Sequence, residues 1–259
     1  AMRVLILGGD SAIGSALAEY WSHDKHVQCY SSTRHKSRVS NSRIYINLEE
    51  PESFQLDMHY DVAILCAAES NIAKCESNPE KTRVINVVNT YTLSKELSWS
   101  NTHVVFLSSN QVFDGTTPFS KVNDKTNPTS EYGRQKVDTE KLISNLKNYS
   151  ILRLTKVIHP NLSLFTKWDD NFARGGQVNA FKDMTLSPVD IKKVILKIDS
   201  LARYRKVGVF HCSGDVDISY YDFAILYARK HGYSEDLVKG GSCKRIGMAP
   251  PLFTSLTLY

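Results

Sequence analysis

The sequence predicts an α/β fold, a doubly wound parallel sheet followed by a small C-terminal lobe. Three observations lead there. The chain opens on an unbroken apolar run, Arg3-Val4-Leu5-Ile6-Leu7, that enters a glycine-bearing turn and then a stretch with helical spacing. Short apolar runs recur afterwards with helical patterns between most of them, as parallel strands joined by crossovers require. From about residue 157 that alternation lapses. At 259 residues the chain can bury a large core in one main domain with a lesser lobe. The main domain is expected over residues 1–157 and the lobe over 158–259, interleaved with it.

Taken in order, residues 3–7 read as a strand buried on both faces. Gly8-Gly9-Asp10-Ser11-Ala12-Ile13-Gly14 follows, then a helix from Ser15 to Trp21. Glycines let a backbone approach a pyrophosphate, and a helix N-terminus points free N–H groups at it. Val27 to Tyr30 is the second strand. An acid at its end would hold a ribose 2′-hydroxyl, but the chain instead reads Ser31-Ser32-Thr33-Arg34-His35-Lys36-Ser37-Arg38. Hydroxyls and guanidinium groups suit a 2′-phosphate. NADP(H) is therefore the expected cofactor, with Arg34 its principal phosphate contact and Ser32 assisting.

Residues 43–46 read as a third strand and 61–66 as a fourth. A helix is expected from Lys81 to Ser98, a fifth strand over Val104–Leu107, and a helix from Glu131 to Lys147 with Val137, Leu142, Ile143 and Leu146 on one side. Ile151–Leu154 is the sixth strand. The topological switch point then lies between the first and fourth strands, where the cofactor should bind. Further on, Trp168–Phe172 suggests a short helix, and Ser187-Pro188-Val189-Asp190 leads into a helix to about Leu201. Val207–Cys212 is a late strand. Ser219–His231 is a late helix expected to face Phe223, Leu226 and Tyr227 inward.

The chemistry concentrates between Val104 and Lys136. The fifth strand runs into Ser108-Ser109, and after a turn-rich segment Tyr132-Gly133-Arg134-Gln135-Lys136 opens a helix that Thr129 or Ser130 can cap. Tyr132 and Lys136 are four apart and share a helix face. A phenol titrates near 10, and an ammonium one turn away is expected to lower that value. With a serine hydroxyl from the strand end, two donors can hold a carbonyl oxygen. Tyr132 can then give it a proton as hydride reaches carbon.

Composition narrows the alternatives. Thirty-two basic residues face 27 acidic ones, a diffuse excess of +5 without a dense basic block, so nucleic acid is not an expected partner. The five cysteines lack a CxxC pair, which argues against a zinc site or a disulfide framework. No apolar run approaches the length of a membrane span, and no secretory leader is visible. The chain is expected to be soluble and cytoplasmic, without a membrane partner.

The glycine-bearing start, the strand ending in Ser-Ser and the Tyr132/Lys136 pair, in this order, resemble the extended short-chain dehydrogenase/reductases with their Rossmann-type sheet. Within them, Ser108 to Gly115, then Pro128, Ser130, Tyr132-Gly133-Arg134 and Lys136, resemble the dTDP-4-dehydrorhamnose reductase family. The resemblance maps a GxxGxxG motif onto Gly8, Ser11 and Gly14, with Ser11 at the middle glycine, so Gly8, Ser11, Ala12, Ile13 and Gly14 are expected against the cofactor. It implies Asn47-Leu48 beside the adenine, Ala67-Ala68 as a small-residue turn past which the cofactor runs, and Asn86 beneath the catalytic site. Ser109, Tyr132 and Lys136 would be catalytic, with Ser108 the second choice for the serine, and Tyr132 and Lys136 would also touch the cofactor. Gln111 and Phe113 are candidates for the sugar pocket. No metal is implied.

The resemblance further implies a small substrate-binding lobe and a possible homodimer through the helices at 81–98 and 131–147. It departs near the C-terminus, where the family has Arg-Pro before a Ser-x-Leu step. This chain has Pro250-Pro251-Leu252-Phe253-Thr254-Ser255-Leu256, and Arg245 is the nearest arginine upstream. The implied activity is NADPH-dependent reduction of a keto group on a nucleotide-linked sugar or a related ketone. Two alternatives stay open: a non-catalytic regulatory subunit like that of methionine adenosyltransferase, which looks like a member of the same family, and a sugar-nucleotide epimerase or dehydratase.

Overall fold

Apolar residues with no polar interruption must be covered on both faces, and the first strand obeys that rule. In the computed structural model, which describes residues 1–247 and 250–258, β1 (Met2–Leu7) sends Val4 and Ile6 to one side and Leu5 and Leu7 to the other. Burying each such side chain contributes about 1.5–3 kcal/mol. After β1 come α1 (Ala12–Ser22), β2 (Val27–Thr33), β3 (Arg43–Tyr45), β4 (Val62–Leu65), α2 (Ile72–Ser77) and α3 (Pro79–Arg83). A π-helical turn, Val84–Asn89, joins α3 to α4 (Thr90–Trp99). Then follow β5 (His103–Ser109), α5 (Glu131–Ile143) and β6 (Tyr149–Leu154).

The remaining elements are β7 (Val157–Ile158), α6 (Ser163–Ala173), β8 (Val178–Phe181), β9 (Thr185–Leu186), β10 (Val189–Asp190), α7 (Ile191–Tyr204), β11 (Gly208–Cys212), β12 (Ile218–Ser219), α8 (Tyr220–His231) and β13 (Val238–Gly241). The main sheet has seven strands in the order β11-β6-β5-β4-β1-β2-β3, all parallel. The order reverses at β1, so the switch point lies between β1 and β4 as expected. Leu17 and Trp21 of α1 and Val194, Ile198 and Leu201 of α7 cover one face. Leu93 and Leu97 of α4 and Ile143 of α5 cover the other. The late strand is thus a seventh strand of the main sheet, with Gly208 opposite Ser150.

Several expected boundaries shift for physical reasons. The second strand continues through Ser31, Ser32 and Thr33, polar residues that are nevertheless buried. The single helix expected over 81–98 is broken by the π-helical turn. The helix expected to reach Lys147 ends at Ile143, with Ser144 as its C-cap. On α8 Ala224, Tyr227 and Ala228 are buried and Phe223, partly buried, packs as expected on the aromatic cluster of Phe165, Trp168 and Phe172, while Leu226 is half exposed. Finally, the last segment returns to the loop after β5. Phe253 donates its backbone N–H to the Gly115 carbonyl at 3.0 Å, and the Thr257 N–H donates to Ser120 at 2.9 Å.

Candidate active site

The cofactor end is built by the turn between β1 and α1. Gly8 adopts φ +93°, and a Cβ there would lie 2.7 Å from the Ala67 backbone nitrogen, so only glycine fits. A Cβ on Gly14 would meet the Gly8 carbonyl oxygen at 2.2 Å, which lets α1 press close against the turn. Ser11, at the middle glycine position, has φ −73° and needs no left-handed backbone. Its hydroxyl caps α1 by accepting from the Gly14 N–H at 3.0 Å and donates to the Gly8 carbonyl at 2.9 Å.

These residues border a cavity of about 800 Å³. Gly8, Ser11, Ser32, Arg34, Asn47, Leu48, Ala67 and Ala68 all line it, whereas Ala12, Ile13 and Gly14 do not. Gly14 sits buried behind the turn. Ser32 is buried, and its hydroxyl accepts the Gly8 N–H at 2.9 Å, so it pins the glycine turn to β2. Arg34 is exposed on the cavity wall and has no ion-pair partner among the described residues. The wall therefore combines a glycine-only turn, a capped helix start and a free guanidinium, a set that fits a phosphorylated dinucleotide.

The chemical end is built by β5 and the start of α5. Ser130 caps α5, accepting from the Gly133 N–H at 3.0 Å, and donates to the Gln111 side-chain oxygen at 3.2 Å. A Cβ on Gly133 would lie 2.3 Å from the Gln111 carbonyl oxygen, so the helix packs directly on the segment after β5. The Lys136 Nζ donates to the Leu107 carbonyl at 2.9 Å and stands 5.5 Å from the centre of the Tyr132 ring. Burial lowers its pKa to about 8, against an opposing pull from Glu140. Tyr132 moves opposite to expectation: burial pushes its phenol up to about 12. A phenol so shifted stays protonated across the neutral range.

The two adjacent serines have different partners. Ser108 Oγ donates to Glu140 at 2.5 Å, and Glu140 in turn pairs with Arg153 at 2.8 Å; acid and guanidinium are both buried. Ser109 Oγ accepts the Gln111 N–H at 3.1 Å and keeps its proton for another acceptor. Asn86, carried by the π-helical turn, bonds the Glu69 backbone in both directions and donates to Gln135 Oε1 at 2.8 Å. It thus locks the small-residue turn to α5, and π-helical turns often occur where a side chain must be displaced toward a site. Phe113 is buried: its ring joins Val112, Val137 and Leu256 in a small core and lies 5.1 Å from the Arg153 guanidinium. Gln111 is half-buried and already accepts from Ser130.

Three features escaped the sequence reading. Asp10, in the glycine turn, accepts from Thr33 Oγ1 at 2.6 Å and from Arg38 at 3.0 Å. An acid beside three glycines was the available signal. Glu140 and Arg153 form a buried pair whose members read as an ordinary helix acid and strand arginine. Asp217 accepts the Thr254 and Ser255 N–H groups at 2.7 and 3.0 Å and so holds the C-terminal segment. Arg245 is exposed in the turn Cys243–Ile246 and does not line the cavity. Among the described residues no cluster of metal-ligating side chains occurs, and no helix is long and apolar enough to cross a membrane.

Residues 2–247 match the family described as the RmlD substrate binding domain, and the chain belongs to that family. Among curated proteins it is 31% identical over 157 residues to methionine adenosyltransferase 2 subunit beta of Xenopus tropicalis, covering 59% of this chain and 46% of that one. It therefore matches less than half the length of that relative. It is 29% identical over 230 residues to the probable low-salt glycan biosynthesis reductase Agl14 of Haloferax volcanii, covering 86% of this chain and 72% of that protein. Among solved structures it resembles the dTDP-4-dehydrorhamnose reductase of Bacillus anthracis in complex with NADP, with TM-score 0.88 and 19% identity over 100% of this chain and 91% of that one.

Proposed function

We propose that this member of the RmlD substrate-binding-domain family is an NADPH-dependent, short-chain-type reductase of a keto group on a nucleotide-linked sugar. The observation that carries the proposal is the division of labour at the β5 end: Glu140 occupies Ser108, while Ser109 keeps a free donor near a helix that presents Tyr132 and Lys136 on one face. NADPH, when bound in the cavity, supplies the hydride. Tyr132, held protonated by burial, gives its proton to the carbonyl oxygen. Ser109 donates a hydrogen bond to that oxygen. Lys136, fixed by the Leu107 carbonyl, sets the charge beside the phenol and stands ready to hold the cofactor's ribose. Gly8, Ser11, Ala67 and Ala68 cradle the dinucleotide, Arg34 takes the 2′-phosphate, and Asn47 with Leu48 borders the adenine. Gln111 keeps its side-chain amide for the sugar.

We place the main domain over residues 1–157 and the substrate lobe over 158–259, with β11 a strand of the main sheet and α7 packed on its face. A cytoplasmic homodimer through α3–α4 and α5 fits the exposed Val84 and Val88. The name of the reductase Agl14 and the NADP complex of the Bacillus anthracis enzyme support the reductase assignment. The test is NADPH consumption with a dTDP-4-keto-6-deoxy sugar, wild type against Tyr132→Phe. Turnover that falls by orders of magnitude in the variant, with NADPH affinity kept, supports both assignments. Near-normal turnover in Tyr132→Phe removes Tyr132 from the chemistry. Tight NADPH binding with no turnover of any such sugar favours a second reading, a nucleotide-binding regulatory subunit. Two observations point that way: the match to the subunit beta proteins, and Pro250 where the reductase pattern has arginine.

A further inference from the structure

The end of β2 carries no acid in sequence, yet the fold delivers one there from the opposite side. Asp10 leaves the glycine turn and reaches Thr33, the last residue of β2, at 2.6 Å. Its second oxygen holds Arg38 at 3.0 Å. Asp10, Thr33, Arg34, His35 and Arg38 all line the same cavity wall. At that position a carboxylate accepts a ribose 2′-hydroxyl, and a guanidinium takes a 2′-phosphate. Here both are present, and they are paired with each other. Arg34 is the cation left without a partner, while Arg38 is half exposed and has room to leave Asp10.

We propose that Asp10 is a specificity-determining residue that holds back the preference for NADPH over NADH, by tethering Arg38 and by offering its own carboxylate to an unphosphorylated ribose. This rests on the NADP(H) assignment above. For NADPH, the 2′-phosphate brings about −2 charges close to Asp10 and must draw Arg38 away from it. For NADH, the carboxylate retains a free lone pair for the 2′-hydroxyl and Arg38 stays where it is. Against the upward effect of burial, the hydrogen bonds from Thr33 and then Arg38 keep the Asp10 carboxyl below the usual carboxylate range, and the Thr33 bond fixes its rotamer.

The experiment measures dissociation constants of NADPH and NADH, by nucleotide fluorescence, for wild type, Asp10→Asn, Arg38→Met and the double variant. Asparagine keeps the acceptor for Thr33, so the turn is retained. Asp10→Asn is expected to raise the NADH-to-NADPH ratio of dissociation constants by about tenfold, the worth of one charge-assisted hydrogen bond. Adding Arg38→Met is expected to remove most of that gain. An unchanged ratio in Asp10→Asn overturns the proposal. A gain that survives in full in the double variant overturns the tether. Wild type that binds neither dinucleotide overturns the cofactor assignment, and this inference with it. Arg34→Met serves as the reference: it should weaken NADPH alone whether or not Asp10 acts as proposed, so its loss separates a failed 2′-phosphate site from a failed role for Asp10.

Discussion

Replacing Glu140 with alanine should be the most damaging single change near the site that touches no ligand. Glu140 and Arg153 are 8% and 5% exposed, and the carboxylate meets the guanidinium through two contacts, 2.8 and 3.1 Å long. Without it, Arg153 keeps as hydrogen-bond partners the Val122 carbonyl and the His211 ring, each at 3.3 Å, beside the Phe113 ring. His211 adds no compensating charge, since an imidazole is neutral or cationic, and here it is held neutral. Burial pushes its pKa down to about 4, and its Nδ1 faces the Thr257 carbonyl, which leaves Nε2 as a neutral acceptor toward Arg153. A buried guanidinium stripped of its acid costs about 3–5 kcal/mol. For a chain of this length each kcal/mol moves the melting temperature by about 2–4 °C, so a fall of about 10 °C is expected in circular-dichroism melts. Ser108 also loses its acceptor, so activity should drop even well below the new melting point. The double change Glu140→Leu with Arg153→Met should recover much of the stability, because it removes both charges and keeps the volume. If Glu140→Ala melted with the exposed-pair control Arg229→Ala, the pair would not carry the weight assigned to it.

Two other outcomes follow from the same geometry. Lys136 is protonated below about pH 8 and loses its charge above it, while Tyr132 keeps its proton to about 12; the rate of ketone reduction should therefore fall as pH rises through about 8. A profile flat to pH 10 would detach Lys136 from the chemistry. Gly8→Ala should abolish dinucleotide binding in a fluorescence titration and destabilise the fold, since its Cβ would sit 2.7 Å from the Ala67 nitrogen on a backbone at φ +93°; binding within a few-fold of wild type would show that the turn gives way.

What could be seen in the sequence was what depends on neighbours in the chain. β1, β4 and β5 announce themselves because both faces of their central residues are buried and an apolar run fills them. Tyr132 and Lys136 announce themselves because one helical turn separates them. Strand β2 was drawn too short because Ser31, Ser32 and Thr33 look like a loop; they are strand residues whose hydroxyls face the glycine turn. The π-helical turn at Val84–Asn89 leaves no mark in a 3.6-residue period. It inserts its extra residue where Asn86 must reach Glu69 and Gln135 together. Asp10 with Arg38, and Ser108 with Glu140 and Arg153, are pairs made by topology, and no spacing rule connects them.

The two ends of the site are therefore held by different kinds of order. The cofactor end starts from a local device, one turn, one capped helix and the adjacent strand end within the first forty residues, and Asn47, Leu48, Ala67 and Ala68 complete its wall. The chemical end depends on closure of the whole chain. Ser108 reaches Glu140, Glu140 reaches Arg153, Arg153 reaches His211, and His211 holds the Thr257 carbonyl, while Ser120 and Asp217 fix the same terminal segment. Changes in the last segment can thus reach the serine pair through buried charge without touching the dinucleotide cavity.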